Sequence, residues 1–404
     1  MKRLSSGLLL IMLGLSCLLP NASTSTSTIL KQHQALAEQS SASSQPSSFK
    51  TEILSPMVFL NQVKKYLPNV SIVVGVITPN GTQVSAYGNI SKANSTKVDG
   101  NTVFDIASVT KTFTNILLAD MVKQGLVNLT DPVERYLPAT VKVPTYNGHK
   151  ITLENLATHT SGLPDFPAGW IRNHTYTTQQ VYNFLSNTPL QSEPGTKANY
   201  SDYGMGLLGH ILSIRAGVPY AQLVKDRITS VLGMDSTGIA MNSTAITLSD
   251  ALKSRLAKGH IGGKEVNLEF IPEELQSAGA LHSTANDMLK YLTANMDLIH
   301  TKINNIMQET HLIRHEYPQA PSLHFTTNKS MSASYVGLGW FIDTNLGTEV
   351  LQHFGGIDGY TSFVGFNPTK QVGVVELCSC EGKDIPLPVR ESLALFLGSI
   401  LGTR

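Results

Sequence analysis

The sequence predicts a mixed α/β (α+β) fold: an antiparallel β-sheet flanked by helices, with a large all-helical insertion. Strand-like segments rich in β-branched residues occur near both ends of the chain, and helical patterns run from Thr112 to about Leu292. Strands from the two ends are expected to pair in one sheet, because each must bury an apolar face against other elements. Such a layout places a binding site at the seam between a sheet lobe and a helical lobe.

The N-terminal elements are a helix followed by a hairpin. Pro56–Tyr66 carries apolar residues at helical spacing. Val70–Thr78 and Gln83–Tyr87 are strand-like runs on either side of an Asn80-Gly81 turn. Two such runs around Asn-Gly are typical of a β-hairpin, which we expect in the N-terminal part of the sheet.

The C-terminal elements repeat this pattern and end in a helix. Tyr360–Phe366 and Gln371–Cys378 predict two strands joined by a turn, and Pro388–Leu401 predicts the last helix. Residues two apart in a strand point to the same face. Cys378 and Cys380 are therefore interpreted as two small buried hydrophobic residues, in preference to a strained disulfide.

Composition narrows the class of protein. Of the 404 residues, 41% are hydrophobic and 15% are charged, which supplies a core and excludes a disordered chain. The 30 Lys and Arg residues against 29 Asp and Glu give a formal net charge of +1. This balance excludes the broad basic surface of a nucleic-acid-binding protein, though not a local patch. With only 3 cysteines, a disulfide scaffold is excluded and a structural zinc site is not expected.

Residues 1–22 have the layout of a secretory signal peptide. Lys2 and Arg3 form a positive start, and an apolar run of about a dozen residues follows from Leu8 to Leu19. This run is short for a membrane-spanning helix, which needs about 20 apolar residues. The mature protein is therefore expected to be exported, periplasmic or secreted, with no stable membrane span. An uncleaved N-terminal membrane anchor is the alternative.

The remaining sequence divides into a linker and one domain. Residues 23–50 are expected to be flexible, because a segment rich in Ser, Thr and Gln cannot bury enough apolar area to offset its chain entropy. Residues 51–404 are expected to form a single domain. Its sheet lobe takes about 51–111 and 293–404, and its helical lobe takes about 112–292.

One short motif indicates chemistry. Ser108-Val-Thr-Lys111 lies at the start of a helical run, and residues at i and i+3 of a helix share a face. A serine hydroxyl becomes a good nucleophile when a nearby base takes its proton. Lysine can be that base if burial or a neighbouring charge lowers its pKa from about 10.4. The pattern alone is weak, since Ser47-Ser-Phe-Lys50 in the linker matches it too.

Two further motifs follow along the chain, Tyr200-Ser201-Asp202 and His353-Phe354-Gly355. With Ser108-Val-Thr-Lys111, they make the sequence resemble the serine β-lactamase and penicillin-binding protein superfamily, especially its class C β-lactamase and D-alanyl-D-alanine carboxypeptidase branch. That family has Tyr-x-Asn at the second motif and Lys-Thr-Gly or His-x-Gly at the third. The resemblance covers about residues 55–400 and implies the β-lactamase/transpeptidase-like fold.

The resemblance implies a role for each motif residue. Ser108 would be the nucleophile that forms an acyl-enzyme, and Lys111 and Tyr200 would share the general-base and proton-relay work. The positive charge of Lys111 is expected to help Tyr200 act as a phenolate. His353 would assist Tyr200 or the substrate as a cationic or hydrogen-bonding group. The backbone N–H groups of Ser108 and Gly356 would form an oxyanion hole, and no metal or organic cofactor is implied.

Two departures from the family pattern concern the substrate. Asp202, which would contact the substrate or relay protons, replaces an Asn that donates to the substrate's amide carbonyl, and a carboxylate cannot donate. Phe354 replaces a Thr whose hydroxyl commonly binds the substrate carboxylate. Unpaired polar groups reject a substrate effectively, so peptidase, amidase or esterase activity is expected ahead of β-lactamase activity. A structural ion pair between Asp202 and Lys111 is the alternative interpretation.

Four other residues near the motifs are given no catalytic role. His159 is interpreted as part of a structural loop, and Asp165 as a loop residue. Trp170 and Trp340 either line the cleft or pack in the core, and packing is the commoner outcome for tryptophan.

The predicted function is an exported serine hydrolase that uses an acyl-enzyme on amide or peptide bonds of the D-Ala-D-Ala peptide or β-lactam type. The first alternative is a carboxylic-ester hydrolase on the same scaffold. The second is a penicillin-binding or sensing protein with little turnover. The expected partner is a small-molecule or peptide substrate, namely a cell-wall peptide, a β-lactam or an ester, and no nucleic acid is expected.

Overall fold

The structure is a computed structural model that describes four stretches of the chain: residues 55–239, 249–318, 333–345 and 348–402. The predicted signal peptide at 1–22 and the linker at 23–50 lie outside the described residues and stay predictions. Within the four stretches, no helix is long and apolar enough to cross a membrane.

An antiparallel sheet built from both ends of the chain is the centre of the fold. In chain order, the strands of the described residues are β1 (Ile72–Thr78), β2 (Gly81–Tyr87), β3 (Val103–Asp105), β4 (Thr145–Tyr146), β5 (His149–Lys150), β6 (Gly238–Ile239), β7 (Gly259–Ile261), β8 (Lys264–Val266), β9 (Leu281–Thr284), β10 (His315–Glu316), β11 (Ala333–Val336), β12 (Phe341–Asn345), β13 (Thr348–Ile357), β14 (Tyr360–Asn367) and β15 (Val372–Cys378). Eight of them form the main sheet in the order β10-β11-β12-β13-β14-β15-β1-β2. Ile72 lies opposite Cys378, so strands from the two ends pair directly, as predicted.

Helices cover both faces of this sheet. In chain order, the α-helices of the described residues are α1 (Pro56–Tyr66), α2 (Thr110–Lys123), α3 (Leu153–Ala157), α4 (Thr178–Asn187), α5 (Asp202–Ala216), α6 (Tyr220–Val224), α7 (Ser230–Leu232), α8 (Asp250–Lys253), α9 (Gln276–Gly279), α10 (Ala285–Asn295), α11 (Asn304–Thr310) and α12 (Leu387–Leu401). On one face, α1 and α12 meet where Phe59 stacks on Phe396 with ring centroids 5.9 Å apart. On the other face, α10 lies so close to β1 that a Cβ added at Gly75 would be 3.0 Å from Leu289.

Both hairpins predicted from the sequence are present. β1 pairs with β2 around Asn80-Gly81, and Gly81 has a φ of 124°, which glycine adopts without a side-chain clash. β14 pairs with β15 in the same antiparallel manner. Val73 of β1 packs toward the helical insertion and Val74 packs toward α1 and α12. Because both faces of β1 are covered, its sequence is a continuous apolar run and does not alternate.

The insertion is mostly helical but also contains short strands. β6 and β9 of the insertion form a three-stranded sheet with β3, which precedes the insertion, while β4–β5 and β7–β8 form two small pairs. These strands are two to four residues long, too short for a period-two pattern to be distinguished in the sequence. The expected all-helical insertion is corrected in this respect. The lobe boundaries at 51–111, 112–292 and 293–404 stay predictions.

A disulfide joins Cys378 and Cys380, so the expectation of two unlinked buried cysteines is wrong. β15 ends at Cys378, and Cys380 lies just beyond the strand. Two residues of an extended strand span about 6.6 Å, near the upper limit for a disulfide. The two Cα atoms are 5.3 Å apart, because the backbone has left the strand between them.

Glu376 on β15 makes the stability of the fold depend on pH. It is 4% exposed, and burial raises the pKa of its carboxyl from 4.5 to about 8. The unfolded chain releases this proton above pH 4.5 while the folded chain retains it up to about pH 8, so Glu376 destabilises the fold as pH rises through this window. Glu376→Gln should gain stability over the parent on the order of 3 kcal/mol between pH 4.5 and 7. Urea denaturation measures this difference, and a difference that does not change with pH would contradict the prediction.

Candidate active site

Ser108 lies in the turn that leads into α2. Ala107 in this turn has a φ of 45°, which is uncommon for a residue with a side chain. Asp105 holds this conformation, since its Oδ1 accepts the N–H of Ala107 at 2.8 Å. Ser362 of β14 donates from its Oγ to the carbonyl of Ile106 at 2.7 Å. The predicted nucleophile is thus held by contacts on two sides of the turn, and it is largely buried.

Close packing between β13 and this turn depends on Gly355. A Cβ at this position would lie 2.2 Å from Ser362 Oγ and 2.5 Å from the carbonyl oxygen of Ile106. Gly355→Ala should therefore shift the turn and slow acylation of Ser108 by up to about 10²-fold, as measured by labelling with a fluorescent penicillin. Gly373→Ala on β15 is the matched control, because its Cβ would meet only side-chain atoms, at 3.3 Å or more. Equal losses in the two variants would contradict this role of Gly355.

Lys111 lies beside Ser108 and is fully buried. Its Nζ is 2.9 Å from Ser108 Oγ, 2.5 Å from Asp202 Oδ1 and 2.7 Å from the carbonyl oxygen of Ala278. Three acceptors match the three N–H donors of an ammonium group. Burial lowers the pKa of Lys111, and the Asp202 carboxylate opposes that shift. The structure therefore assembles the predicted pair and leaves a lysine that gives up its proton more readily than one in water.

Tyr200 packs against the same lysine. Lys111 Nζ is 4.8 Å from the centre of the Tyr200 ring. Burial and the negative charge of Asp202 raise the pKa of Tyr200 well above its usual value, and the hydroxyl of Ser108 opposes this with a smaller effect. These effects work against the phenolate that Lys111 is expected to favour, and the role of Tyr200 stays a prediction. Tyr200 Oη is buried and makes no hydrogen bond of normal distance and angle with the described residues, although the hydroxyl of Ser108 is near enough to affect its pKa.

His159 positions Tyr200, a role that sequence reasoning missed. Its Nδ1 accepts the N–H of Ser201 at 3.2 Å, and its carbonyl accepts the N–H of Asn199 at 2.7 Å. Its ring also stacks on the Tyr200 ring with centroids 4.4 Å apart. The loop residue His159 thus contacts Tyr200 and both of its neighbours in the chain.

Asp202 occupies the first turn of α5. Ser201 caps this helix, since its Oγ accepts the N–H of Gly204 at 2.9 Å, and an acid in the first turn is favoured by the helix dipole. The ion pair between Asp202 and Lys111 that the sequence left as an alternative is present. The Asp202 side chain is 20% exposed, so part of the carboxylate faces the solvent.

Asp165 lies next to Asp202, although the sequence analysis assigns it no role. Its Oδ1 accepts the backbone N–H of Asp202 at 2.9 Å. Asp165 as a whole is exposed to solvent. Its carboxyl group is nevertheless partly desolvated, and this desolvation together with the charge of Asp202 raises the pKa of Asp165 above the usual range. It belongs to a loop without a motif, so no spacing in the sequence points to it.

His353 is a neutral ring on β13. Its Nδ1 lies 2.7 Å from the carbonyl oxygen of Phe354 and therefore carries the proton that it donates there. Burial and the charge of Lys111 lower the pKa of His353 to about 3. At neutral pH this lowered pKa favours the expected role of a hydrogen-bonding group over that of a cation, and the role of His353 stays a prediction. Its Nε2 is a buried acceptor without a partner in the part of the chain that the structure describes.

Phe354 points away from the site. Successive residues of a strand face opposite sides of the sheet, so Phe354 lies on the side of α1 and α12. There its ring packs on Phe363 with centroids 4.8 Å apart. The side chain that replaces the family's Thr therefore faces away from Ser108.

A cleft opens in front of Ser108. Its lining includes the residues Ser108, Asp202, Gly356, Phe166, Trp170, Arg172, Glu269, Phe270 and Leu275. Ser108 and Gly356, whose N–H groups are predicted to form the oxyanion hole, are both among them, and that role stays a prediction. Trp170 thus lines the cleft, whereas Trp340 is fully buried in the core.

The strand edge beside the cleft is open. β12 pairs with β13 from Phe341 opposite Gln352, and the pairing goes no further toward the C-terminal end of β13. Residues 353–357 of β13 therefore have no strand partner on that side within the described ranges.

Comparisons with known proteins show the family of the chain. Residues 63–390 match the family model described as Beta-lactamase. The D-alanyl-D-alanine-carboxypeptidase/endopeptidase AmpH of Escherichia coli (strain K12) is 31% identical over 315 residues, which is 74% of this chain and 76% of that protein. A Beta-lactamase of Providencia stuartii is 26% identical over 362 residues, which is 84% of this chain and 87% of that protein.

Solved structures share the fold. The Beta-lactamase/D-alanine Carboxypeptidase from Yersinia pestis, in complex with citrate, has a TM-score of 0.67 at 24% identity and covers 85% of this chain and 100% of its own. The corresponding protein from Pseudomonas syringae has a TM-score of 0.69 at 21% identity, covering 86% of this chain and 97% of its own. At these identities the likeness concerns the fold alone. The family match over residues 63–390 and the 31% identity to the Escherichia coli protein confirm the resemblance that the three motifs predict: the chain belongs to the beta-lactamase family and is a serine hydrolase.

Proposed function

We propose that Ser108 cleaves an amide bond through an acyl-enzyme intermediate. The substrate is a peptide or small molecule of the D-Ala-D-Ala or β-lactam type, and the enzyme acts outside the cytoplasm after export. One observation carries the proposal: Ser108 Oγ lies 2.9 Å from Lys111 Nζ in a buried site that opens to a cleft. Relatives named as a D-alanyl-D-alanine-carboxypeptidase/endopeptidase and as a Beta-lactamase support this substrate class.

In the first step Ser108 attacks the substrate carbonyl. Lys111, as the neutral amine, takes the hydroxyl proton while the bond between Ser108 Oγ and the carbonyl carbon forms. The carbonyl oxygen becomes an oxyanion, which the N–H groups of Ser108 and Gly356 would stabilise. Loss of one such donor typically costs about 10²–10³ in kcat.

Tyr200 is suited to protonate the leaving group. It keeps its proton at neutral pH, and its buried Oη has no competing partner among the described residues. The proton moves to the leaving nitrogen as the carbon–nitrogen bond breaks. The phenolate that remains takes a proton from the Lys111 ammonium, whose Nζ lies 4.8 Å from the Tyr200 ring centre.

In the second step water hydrolyses the acyl-enzyme. Lys111, neutral again, takes a proton from the attacking water and returns it to Ser108 Oγ as that oxygen leaves. One water is consumed, and an amine and a carboxylic acid are released. His353 stays neutral throughout and contributes only as a hydrogen-bonding group, since its pKa is about 3.

Activity should rise with pH through the pKa of Lys111, because only the neutral amine can accept the proton of Ser108. Asp202 raises this pKa against the larger lowering effect of burial. Asp202→Asn should therefore move the acid limb of the kcat/KM profile to lower pH. Steady-state rates across pH measure the shift, and a move to higher pH would exclude Lys111 as the base.

Ser108→Ala tests the proposed function. The parent and the variant are incubated with a fluorescent penicillin, nitrocefin, a D-Ala-D-Ala peptide and a p-nitrophenyl ester. Turnover should fall by at least about 10³-fold, and the acyl adduct should disappear from the peptide that contains Ser108. Hydrolysis that survives the change would overturn the assignment. A stable label without turnover of any substrate would favour a sensing protein.

A carboxylic ester is the second candidate substrate. Phe354 faces away from the cleft and His353 is neutral, so the third motif presents neither a hydroxyl nor a cation to a substrate carboxylate. A simple ester needs no such contact. Ester turnover in the same assay, without reaction of the peptide or the β-lactams, would favour this candidate.

Two features of the chain support export to the periplasm or the medium. Residues 1–22 have the charge and apolar pattern of a signal peptide. The disulfide between Cys378 and Cys380 is of a kind that persists in oxidising compartments. N-terminal sequencing of the protein from fractionated bacterial cells tests this proposal, and an uncleaved chain confined to the cytoplasm would contradict it.

A further inference from the structure

Asp202 presents a free acceptor to the cleft at the place where the family presents a donor. Its Oδ1 is bound to Lys111 Nζ, while its Oδ2 receives no hydrogen bond from the described residues. The side chain is 20% exposed and lines the cleft together with Ser108. A substrate bound at Ser108 therefore meets a carboxylate oxygen that still lacks a donor.

His353 adds a second acceptor. It is 1% exposed, and its Nε2 has no partner among the residues described. It lies two residues from Gly355 on β13, and both residues face the side of the sheet where Gly355 approaches Ala107. The third motif thus has a buried acceptor without a partner among the described residues and supplies no cation near the site.

The cations at the cleft are already paired. Lys111 is bound to Asp202, and Arg172 donates two hydrogen bonds to Glu269, at 2.8 and 2.7 Å. Asp165 places a further carboxyl group beside Asp202. Among the described residues that line the cleft, none offers an unpaired positive charge to a substrate carboxylate. The arrangement favours a substrate that brings a positive group.

We propose that the acyl part of the substrate carries a free amino group, whose ammonium binds Asp202 Oδ2. This proposal rests on the Ser108 acyl-enzyme and names the substrate class of that site: an aminoacyl group joined to its leaving group by an amide or ester bond. Ser108 Oγ bonds to the aminoacyl carbonyl, the bond to the leaving amine or alcohol breaks, and the leaving group takes a proton. Water then releases the free amino acid.

The carboxylate of Asp202 should make the enzyme prefer substrates with a free amino group over N-acetylated ones. An ammonium donates a charge-assisted hydrogen bond to a carboxylate, which is stronger than a bond between neutral groups. An N-acetylated substrate lacks that charge and places a carbonyl oxygen near the carboxylate, where two acceptors cannot pair. A hydrogen bond of this strength corresponds to a preference of about 10–100-fold in kcat/KM.

The first test compares alanine p-nitroanilide with its N-acetyl derivative in both enantiomers, and repeats the comparison with the benzyl esters. For at least one enantiomer, the free amine should react at least about tenfold better in kcat/KM. The preference should fade as pH rises past about 8, where the substrate's amino group loses its proton. The enzyme's own titrating groups affect both substrates alike, so the ratio isolates the ammonium.

Asp202→Asn is the diagnostic variant. It replaces the free acceptor by a donor, so the ratio of free-amine to N-acetyl rates should fall by about 10–100-fold. Any damage through Lys111 lowers both rates and leaves the ratio unchanged. Glu134→Gln is the control, because it removes a carboxylate that pairs with Lys150 and does not line the cleft. The ratio should stay as in the parent.

The outcomes separate this proposal from the proposed function. A parent enzyme that prefers the N-acetyl substrates, or an Asp202→Asn variant that keeps the parent's ratio, would overturn the ammonium site while Ser108-dependent hydrolysis still supports the function. Ser108-dependent turnover of the penicillin, peptide or ester panel without hydrolysis of any alanine substrate would also overturn it. If no substrate of either set reacts through Ser108, the proposed function itself is lost.

Discussion

Lys111→Met should reduce kcat by about 10³–10⁴-fold, the largest effect expected of any change that leaves Ser108 in place. Methionine is close to lysine in length and fits the fully buried space, but it can neither accept a proton nor donate one. Ser108 Oγ then loses the base that lies 2.9 Å away. Single-turnover acylation, followed by mass spectrometry of the adduct, measures the loss.

A second variant separates lost chemistry from lost stability. Lys111→Met alone leaves the Asp202 carboxylate without its cation, which costs less than the roughly 3–5 kcal/mol of a fully buried pair because Asp202 is 20% exposed. The double change Lys111→Met with Asp202→Asn removes both charges, so its melting temperature should return toward that of the parent. Its activity should stay low. Recovery of activity in the double variant would show that Lys111 acts through structure alone.

The predictable part of the fold is the part with long periodic segments. The helix at Pro56–Tyr66, the hairpin around Asn80-Gly81 and the C-terminal helix at Leu387–Leu401 all lie within two residues of their predicted positions. Each has enough turns or alternations for its period to stand out. The short strand Gly238–Ile239 does not, and its pairing with β9 depends on contacts distant in sequence.

The motifs predicted which side chains meet, but not their protonation states. Lys111 and Asp202 are 91 residues apart in the chain yet 2.5 Å apart in space, and burial together with the charge of Asp202 raises the pKa of Tyr200. Burial likewise lowers the pKa of His353, which keeps its ring neutral. For Phe354 the motif misled in a different way. Its motif position suggests a side chain that faces the substrate, but alternate residues of a strand face opposite sides, and Phe354 lies on the side away from Ser108.

Tyr200→Phe should lower kcat by about 10²–10³-fold for amides, and far less for p-nitrophenyl esters. The change removes only the hydroxyl, so the ring keeps its stacking on His159 at 4.4 Å and its contact with Lys111. An amine leaves only when it is protonated, whereas p-nitrophenolate leaves without a proton. Rates for a series of esters with leaving groups of increasing pKa should therefore fall more steeply in the variant than in the parent.

Tyr203→Phe is the matched control for this change. Its hydroxyl is also buried on α5, but it donates to the carbonyl of Val181 at 2.6 Å and makes no contact with Ser108. Removing it should lower stability by about 1 kcal/mol without changing the dependence on the leaving group. If Tyr200→Phe slowed amides and p-nitrophenyl esters equally, Tyr200 would act in the attack of Ser108. The protonated phenol, held above its usual pKa by burial and Asp202, argues for the departure of the leaving group as the step it serves.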